Sequence, residues 1–468
     1  MWRARAARAR AVCCERVDIA GREGELAQNF LGDFHMRRLL LSAALLLATP
    51  AMAAMADDLR ASVEADYRAH LEDLFVHFHQ NPELSFREMK TAERLAEELR
   101  PLGFTVTTGV GRTGLVAVME NGSGPTVMVR ADMDGLPVEE ASGLPYASTA
   151  TQVDMNGVEQ PVMHACGHDV HITSLVGTAR QMAERKDDWS GTLVLIGQPA
   201  EEVISGAREM MEDGLYTRFP KPDYALAFHV AAQLPTGMIG ITDGAAYSSS
   251  DSVDIEVRGI GAHGASPHKG IDPVLLASNI VVGLQHVVSR TLVPQEPGVI
   301  TVGAINGGRK HNIIGDRVDL QLTMRSDSPE TRQKLMDGIR RVAEGEAVAM
   351  GVPDELMPVV KFSETQTTPP TVNDRATAQR IQRLFTGEFG ADAMWTEARQ
   401  GMGAEDFAYF VQPESGVKGV YFAVGGTPLR DVADAPSHHS PFFKVEPEAS
   451  VVLGTEAMVL AALELFGG

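Results

Sequence analysis

The chain is short of positive charge. Its 468 residues hold 41 Lys and Arg against 62 Asp and Glu, a formal net charge of −21. A phosphate backbone is gripped through a basic footprint, so this balance argues against nucleic acid as a partner. Acidity by itself speaks mainly for solubility. Cysteine is scarce as well, with Cys13, Cys14 and Cys166 the only three. The apolar run at residues 39–49 is too short to span a bilayer. Internal repeats are absent. The Gly-rich stretch 259–268 lacks the Gly-Lys-Ser/Thr ending of a phosphate loop.

What is present is a globular composition, 44% hydrophobic with a mean hydropathy of −0.07. The length predicts two or three domains rather than one core. The first 56 residues stand apart. Residues 1–35 are rich in Arg and Ala and show no sustained apolar period. Met36-Arg37-Arg38 then opens the apolar run, and Ala51-Met52-Ala53 and Ala54-Met55-Ala56 follow. A basic start, a short apolar run and a small-x-small site read as a secretory signal at about 36–56, with Met36 the expected initiator. The mature protein is then expected in the periplasm or outside the cell, free of the membrane. Beyond residue 56 the chain has 33 basic and 57 acidic residues, a formal charge of −24, and a single cysteine, Cys166. That leaves no intramolecular disulfide, and a lone cysteine in an exported protein calls for either burial as an inert thiol or metal ligation.

The pattern along the chain predicts an α/β protein with a central mixed sheet flanked by helices. Residues 62–80 and 91–102 have helical spacing. His70, His77 and His79 on the first of these read as surface or helix-packing histidines. Residues 126–130 form a short apolar strand that delivers Asp132 and Asp134 at its end. These two acids can serve as an N-cap and a turn residue, or can orient metal ligands from behind. Met163-His164-Ala165-Cys166-Gly167-His168-Asp169-Val170-His171 packs three histidines, an aspartate and a cysteine into nine residues. Asp169 is placed to cap a helix running to about 185, with Cys166 and His168 in the turn ahead of it. The strand 192–198 ends in Pro199-Ala200-Glu201-Glu202, and the strand 224–230 ends at His229. From residue 248 the character changes to strand, helix, strand, strand, helix, a smaller α+β unit expected at 248–360. It is inserted between a first catalytic part, 57–247, and a second, 361–468.

Cys166, His168, Glu202, His229 and one of His438 or His439 are the candidate metal ligands. The two last are adjacent, so at most one is expected at the site. One thiolate, one carboxylate and three imidazoles exceed the needs of one tetrahedral ion and suit two metals sharing a bridging group. Glu201 is the remaining carboxylate and is expected to act as general base, activating a metal-bridging water for hydrolysis of an amide. A lid histidine is expected to donate to the oxyanion.

Taken in order, these residues match a known pattern. The chain resembles the amidohydrolase branch of the aminoacylase/carboxypeptidase metallopeptidase superfamily, which includes hippurate hydrolases, N-acyl-L-amino acid amidohydrolases and indole-3-acetyl-amino acid hydrolases. The resemblance runs from about Leu71 to the C-terminus. It rests on Asn81-Pro82-Glu83-Leu84-Ser85, Arg130-Ala131-Asp132-Met133-Asp134, the Cys166 stretch and Gln198-Pro199-Ala200-Glu201-Glu202. Gly261-Ala262-His263, Ala404-Glu405-Asp406-Phe407 and His439-Ser440-Pro441 complete it. It implies a binuclear site of Cys166, His168, Glu202, His229 and His439, holding two divalent ions (Mn, Zn, Ni or Co). It implies Glu201 as base, Asp134 as support behind the site, and His263 in a lid and dimerisation domain, able to reach a substrate oxyanion. Asn312 and Arg325 fall where lid residues touch the substrate's carboxylate, although Ile313-Ile314-Gly315 departs from the usual turn after Asn312. The implied substrate is an N-acyl-amino acid or short peptide, and the implied assembly a homodimer or higher homo-oligomer. A metallo-carboxypeptidase or dipeptidase of the same superfamily is the near alternative, with the Cys166-Gly167-His168 pattern favouring the amidohydrolase branch. A periplasmic binding protein that has lost catalysis is the distant one, and the intact Glu201 speaks against it.

Overall fold

The structure is a computed structural model that describes residues 58–397, 399 and 401–467. The expected leader and Met36 lie outside the described residues. Twelve strands, in chain order, build the two main sheets: β1 (Thr105–Val110), β2 (Gly114–Asn121), β3 (Thr126–Asp132), β4 (Gly191–Gln198), β5 (Tyr224–Pro235), β6 (Ile239–Ile241), β7 (Ser250–Arg258), β8 (Gly298–Gly307), β9 (Arg317–Ser326), β10 (Val359–Thr368), β11 (Met394–Trp395) and β12 (Lys418–Thr427). The helices used below are α1 (Glu72–Gln80), α2 (Met89–Leu99), α3 (His168–Glu184), α4 (Gly206–Glu212), α5 (Pro273–His286), α6 (Pro329–Ala349), α7 (Arg375–Phe389) and α8 (Pro447–Phe466).

The larger sheet has the order β1-β2-β4-β3-β5-β12-β6-β11. Its centre is parallel, β3 pairing with both β4 and β5, and β5 with β12. Parallel strands are covered on both faces, and their sequences are continuously apolar for that reason. On β3, Val127 and Val129 face the core under α1, α3 and α8, while Met128 faces a second core with Phe407 and Phe410. Gly177 lets α3 lie close to α8, since a Cβ there would stand 2.7 Å from Thr455 Oγ1. α8 is apolar all round because it is buried along almost its whole length, not because it crosses a membrane.

The smaller sheet is antiparallel, ordered β8-β9-β7-β10, with α5 and α6 supplying its separate core. Its fourth strand, β10, was not expected from the sequence; its burial mixes exposed and half-buried positions without clean alternation. α7 begins at Arg375, because Thr371–Val372 pair with Ala245–Tyr247 and the Asp374 side chain caps the helix by accepting from Thr377 N–H. One other expectation shifts. β5 continues past His229 to Pro235, paired along that length with β12, so His229 lies within a strand rather than at its end.

Candidate metal centre

β3 and β4 run parallel and finish at the same edge of the larger sheet, the edge where α/β sheets form ligand sites. β3 brings Arg130 and Asp132 there, both fully buried. The Arg130 guanidinium donates to Asp132 Oδ2 at 2.6 Å, to Glu405 Oε1 at 2.6 Å and to Gln198 Oε1 at 2.7 Å. Burial opposes these charges, but Arg130, His168 and His171 outweigh it and hold the Asp132 carboxyl well below its usual pKa. His171 Nδ1 donates to Asp132 Oδ1 at 2.5 Å, and its Nε2 accepts from Val230 N–H at 2.9 Å. Both nitrogens are taken, so His171 is a strut between β3 and β5.

α3 starts at His168, so its N-cap is Gly167 at φ 89° and Asp169 stands inside the first turn, where its carboxylate accepts from Val170 N–H at 2.9 Å. The left-handed backbone is what glycine supplies here, and a Cβ at this point would also stand 2.4 Å from Val230 Cγ1. This sharp entry sets Cys166 and His168 beside each other. His168 Nδ1 donates to Asp134 O at 2.8 Å, which leaves Nε2 as the nitrogen able to face a metal. His229 has the same arrangement, Nδ1 donating to Val230 O at 2.7 Å and Nε2 lying 3.4 Å from Cys166 Sγ. A histidine that ligates a metal through one nitrogen usually has the other fixed in this way.

Glu201 and Glu202 sit on an elbow after β4 where Ala200 adopts φ 51°. Left-handed alanine costs about 1–3 kcal/mol and persists only when its surroundings enforce it. Two buried carboxyl groups do so by gripping three successive amides. Glu88 Oε1 accepts from Ala200 N–H at 2.8 Å, and Asp134 accepts from Glu201 N–H at 3.1 Å and Glu202 N–H at 3.0 Å. Burial, then the Asp134 charge, pushes the Glu88 carboxyl up to about 8. Replacing Glu88 by Leu strands the buried Ala200 N–H, which should cost about 1–3 kcal/mol. Thermal unfolding is expected to show that loss together with a reduced kcat, and Glu88→Gln, which keeps the acceptor, should recover most of both. A Leu variant with wild-type stability and turnover would remove Glu88 from the elbow's support.

Both glutamates come within 4.8 Å of His168, but their other neighbours differ: Glu202 also joins Cys166 and His439 in such a group of ligand atoms, while Glu201 joins Glu405 and Asp406. His438 and His439 both reach the site, against the expectation of one. His439 has φ 66°, a left-handed backbone between two rings that meet different partners. Its Nε2 lies 3.4 Å from Glu202 Oε2, and His438 Nδ1 lies 3.7 Å from Cys166 Sγ.

The donor set fits two cations. His168 Nε2 and Glu202 Oε1 are buried with no hydrogen-bond partner, and they lie 3.9 Å apart. Orphaned buried atoms of this kind cost about 1–3 kcal/mol each, and a bound cation would satisfy both. Burial, then Glu405 and Glu202, raises the Glu201 carboxyl well above its ordinary range; burial, then Glu202 and Glu201, raises the Cys166 thiol. Crowded acids and a thiol with raised pKa values are what a site shows when its balancing positive charge is a metal ion.

Not every expected residue joins this group. His263 is exposed, its Nδ1 accepting from Ala265 N–H at 3.0 Å, and Asn312 stands next to it, its carbonyl accepting from Gly264 N–H. Both belong to the unit of the smaller sheet, as does Arg325 on β9. Arg325 is half-buried, burial lowers its pKa, and it has no carboxylate within ion-pair distance among the described residues. His164, buried between the groups, has both ring nitrogens without a partner, and burial lowers it to about 4.

The roles of several supporting residues were not legible in the sequence. Glu405 accepts from Arg130, from Tyr421 Oη at 2.7 Å and from Phe407 N–H, and Asp406 accepts from Gln198 and Ala207 N–H, so the Ala404–Phe407 motif stands fixed beside Glu201. His79 is buried, not superficial. Its Nδ1 meets Asp169 Oδ2 at 2.7 Å and its Nε2 meets Glu140 Oε1 at 3.1 Å. Ala141, next to Glu140, donates its N–H to Pro441 O at 2.7 Å, so His79 ties α1 and the start of α3 to the turn carrying His439. Burial alone would lower His79, but the bonds to Asp169 and Glu140 win and raise it to about 9 from 6.5. A raised histidine stabilises fully below its unfolded pKa and loses that contribution as pH rises through the folded one. His79→Gln should therefore show its largest melting-temperature deficit between about pH 5 and 6.5, shrinking towards pH 9 and above. A deficit independent of pH would contradict a charged His79.

A thiol, a carboxylate-rich elbow and imidazoles with freed nitrogens, gathered at the carboxyl edge of a mixed sheet, define a metal-dependent hydrolase. The chain belongs to the peptidase family M20/M25/M40, whose model matches residues 128–464. It is similar to the hippurate hydrolase of Campylobacter jejuni, 36% identical over 351 residues that cover 74% of this chain and 86% of that protein. It is also similar to thermostable carboxypeptidase 2 of Saccharolobus solfataricus, 35% identical over 82% of this chain and 93% of the other. Among solved structures, a dinuclear metal-binding peptidase of the M20 family from Bacillus subtilis superposes with a TM-score of 0.70 at 27% identity, covering 86% of this chain and 99% of that one. The protein is thus a metal-dependent hydrolase of amides with the fold of a dinuclear metal-binding peptidase.

Proposed function

We propose that the protein hydrolyses the amide bond of N-acyl-amino acids, with Cys166, His168, Glu202, His229 and His439 holding two divalent ions and Glu201 as general base. One observation carries this reading: the elbow at Ala200 turns Glu202 towards Cys166 and His439 and leaves Glu201 free of that group. Two divalent ions supply Lewis acidity that acidifies water and polarises the scissile carbonyl. Glu201 takes a proton from the attacking water as the water oxygen bonds to the carbonyl carbon. It then gives that proton to the amide nitrogen as the C–N bond breaks, releasing a carboxylic acid and a free amino acid. Arg130 and Gln198 keep Glu405 and Asp406 in place behind the base. Arg325, a half-buried cation without a carboxylate partner, suits the substrate's carboxylate, and His263 suits the developing oxyanion.

The likeness to a hippurate hydrolase favours an acylated amino acid, and the likeness to a carboxypeptidase makes short peptides the competing class. Steady-state kinetics of the metal-loaded enzyme on hippurate, N-acetyl-amino acids and unblocked dipeptides tests this. Higher kcat/KM on the acylated compounds is expected, with Arg325→Met raising KM for them and His263→Ala lowering kcat. A preference for free-amine dipeptides would replace this reading with the peptidase one.

A further inference from the structure

His168 and His229 each have Nδ1 hydrogen-bonded to a backbone carbonyl, which leaves Nε2 to face the site. His438 is the reverse. Ala232 N–H, which can only donate, points at His438 Nε2 at 3.1 Å. That nitrogen is therefore the acceptor and carries no proton. A neutral imidazole has one N–H, so it resides on Nδ1, and a doubly protonated ring could not accept from Ala232 at all. Nδ1 lies 3.7 Å from Cys166 Sγ, within reach of a hydrogen bond to sulfur. A nitrogen bearing a proton has no lone pair for a metal. The closeness of Cys166, His229 and His438 ligand atoms thus looks like a third ligand triad but is not one.

We propose that His438 is a positioning residue that donates its Nδ1–H to the Cys166 thiolate, and that His439 alone of the adjacent pair ligates metal. This rests on the reading of Cys166 as a thiolate ligand. The surroundings keep the ring in place. It packs on the Phe443 ring at 4.8 Å and crosses His229 at 5.2 Å, beside an apolar cluster of Met163, Ala165, Ala232 and Phe443. The left-handed backbone at His439, anchored by its own N–H to Ala165 O at 2.8 Å, is what lets the two neighbours address the sulfur and Glu202 separately. A hydrogen bond to a ligating thiolate withdraws electron density from sulfur and tunes the bond it makes to the metal, as it does at copper–thiolate centres.

The test uses the purified protein reconstituted with Co(II), whose thiolate ligation gives a sulfur-to-metal charge-transfer absorption. Wild type should show that band and Cys166→Ser should lack it; a wild type without it overturns the thiolate reading itself, and the His438 proposal with it. Given the band, His438→Phe keeps the ring and removes the donor, so the sulfur lone pairs rise and the band should move to longer wavelength at unchanged cobalt stoichiometry. His438→Asn, which places an amide N–H near the Nδ1 position, should leave the band close to wild type. A Phe variant with an unmoved band, or one that has lost a cobalt ion, overturns the proposal. Should the Phe variant fail to fold, 15N-histidine spectra of the zinc-loaded wild type decide. A proton on His438 Nδ1 supports the proposal, and a proton on Nε2 refutes it.

Discussion

Glu201→Gln lowers kcat by about 10²–10⁴-fold, the usual worth of a positioned general base, while KM and metal content stay near wild type. The substitution is isosteric, and the elbow does not depend on the side chain it changes. Glu88 and Asp134 grip the Ala200, Glu201 and Glu202 amides, not the Glu201 carboxylate. Glu202 keeps its place beside Cys166 and His439. A fall in kcat and in kcat/KM by the same factor is the signature of an interaction made only in the transition state. Metal analysis alongside steady-state kinetics checks both halves. Normal turnover would sink the base assignment, and lost metal would make Glu201 a ligand instead.

Removing the metal should have the second large effect. Dialysis against a chelator abolishes turnover, and adding back a divalent ion restores it. Stability moves in the same direction. Without a cation the site confines Asp132, Asp134, Glu201 and Glu202 with two orphaned atoms, His168 Nε2 and Glu202 Oε1. An ion that binds only the folded chain adds about 2.7 kcal/mol when free metal is about a hundred times its Kd. The melting temperature should therefore climb with metal concentration. Cys166→Ala, lacking the thiolate, should bind less metal and show a weaker climb. A melting temperature indifferent to metal, with turnover surviving the chelator, would refute the metal centre.

Much of this was legible in the chain because it is local. Short spacings put Cys166 and His168 two residues apart, and an apolar strand followed by acids marks a carboxyl-end site wherever a parallel sheet forms. The ends of β3 and β4 could be read in this way, and so could the motifs from Asn81 to Pro441. The reading failed where a contact crosses the chain. His79 looked superficial because its helix is amphipathic, and nothing near it in sequence announces Asp169, 90 residues on. Glu88 reads as one more acid at a helix start until Ala200, 112 residues away, is seen to need an acceptor. His229 was read as a strand end because the apolar run stops there, whereas pairing with β12 carries β5 six residues further.

The sequence by itself determined the candidate donors and the kind of chemistry, because residue type and short-range spacing suffice for both. Only the tertiary structure decided how those donors divide their roles. Adjacent His438 and His439 are alike in residue type, and only the resemblance of His439-Ser440-Pro441 to a known motif singles one out in sequence. They separate because one backbone angle is left-handed and because one ring nitrogen is claimed by Ala232. Hydrogen-bond partners drawn from distant segments fix which nitrogen carries the proton, and that choice is settled only when the fold brings those segments together.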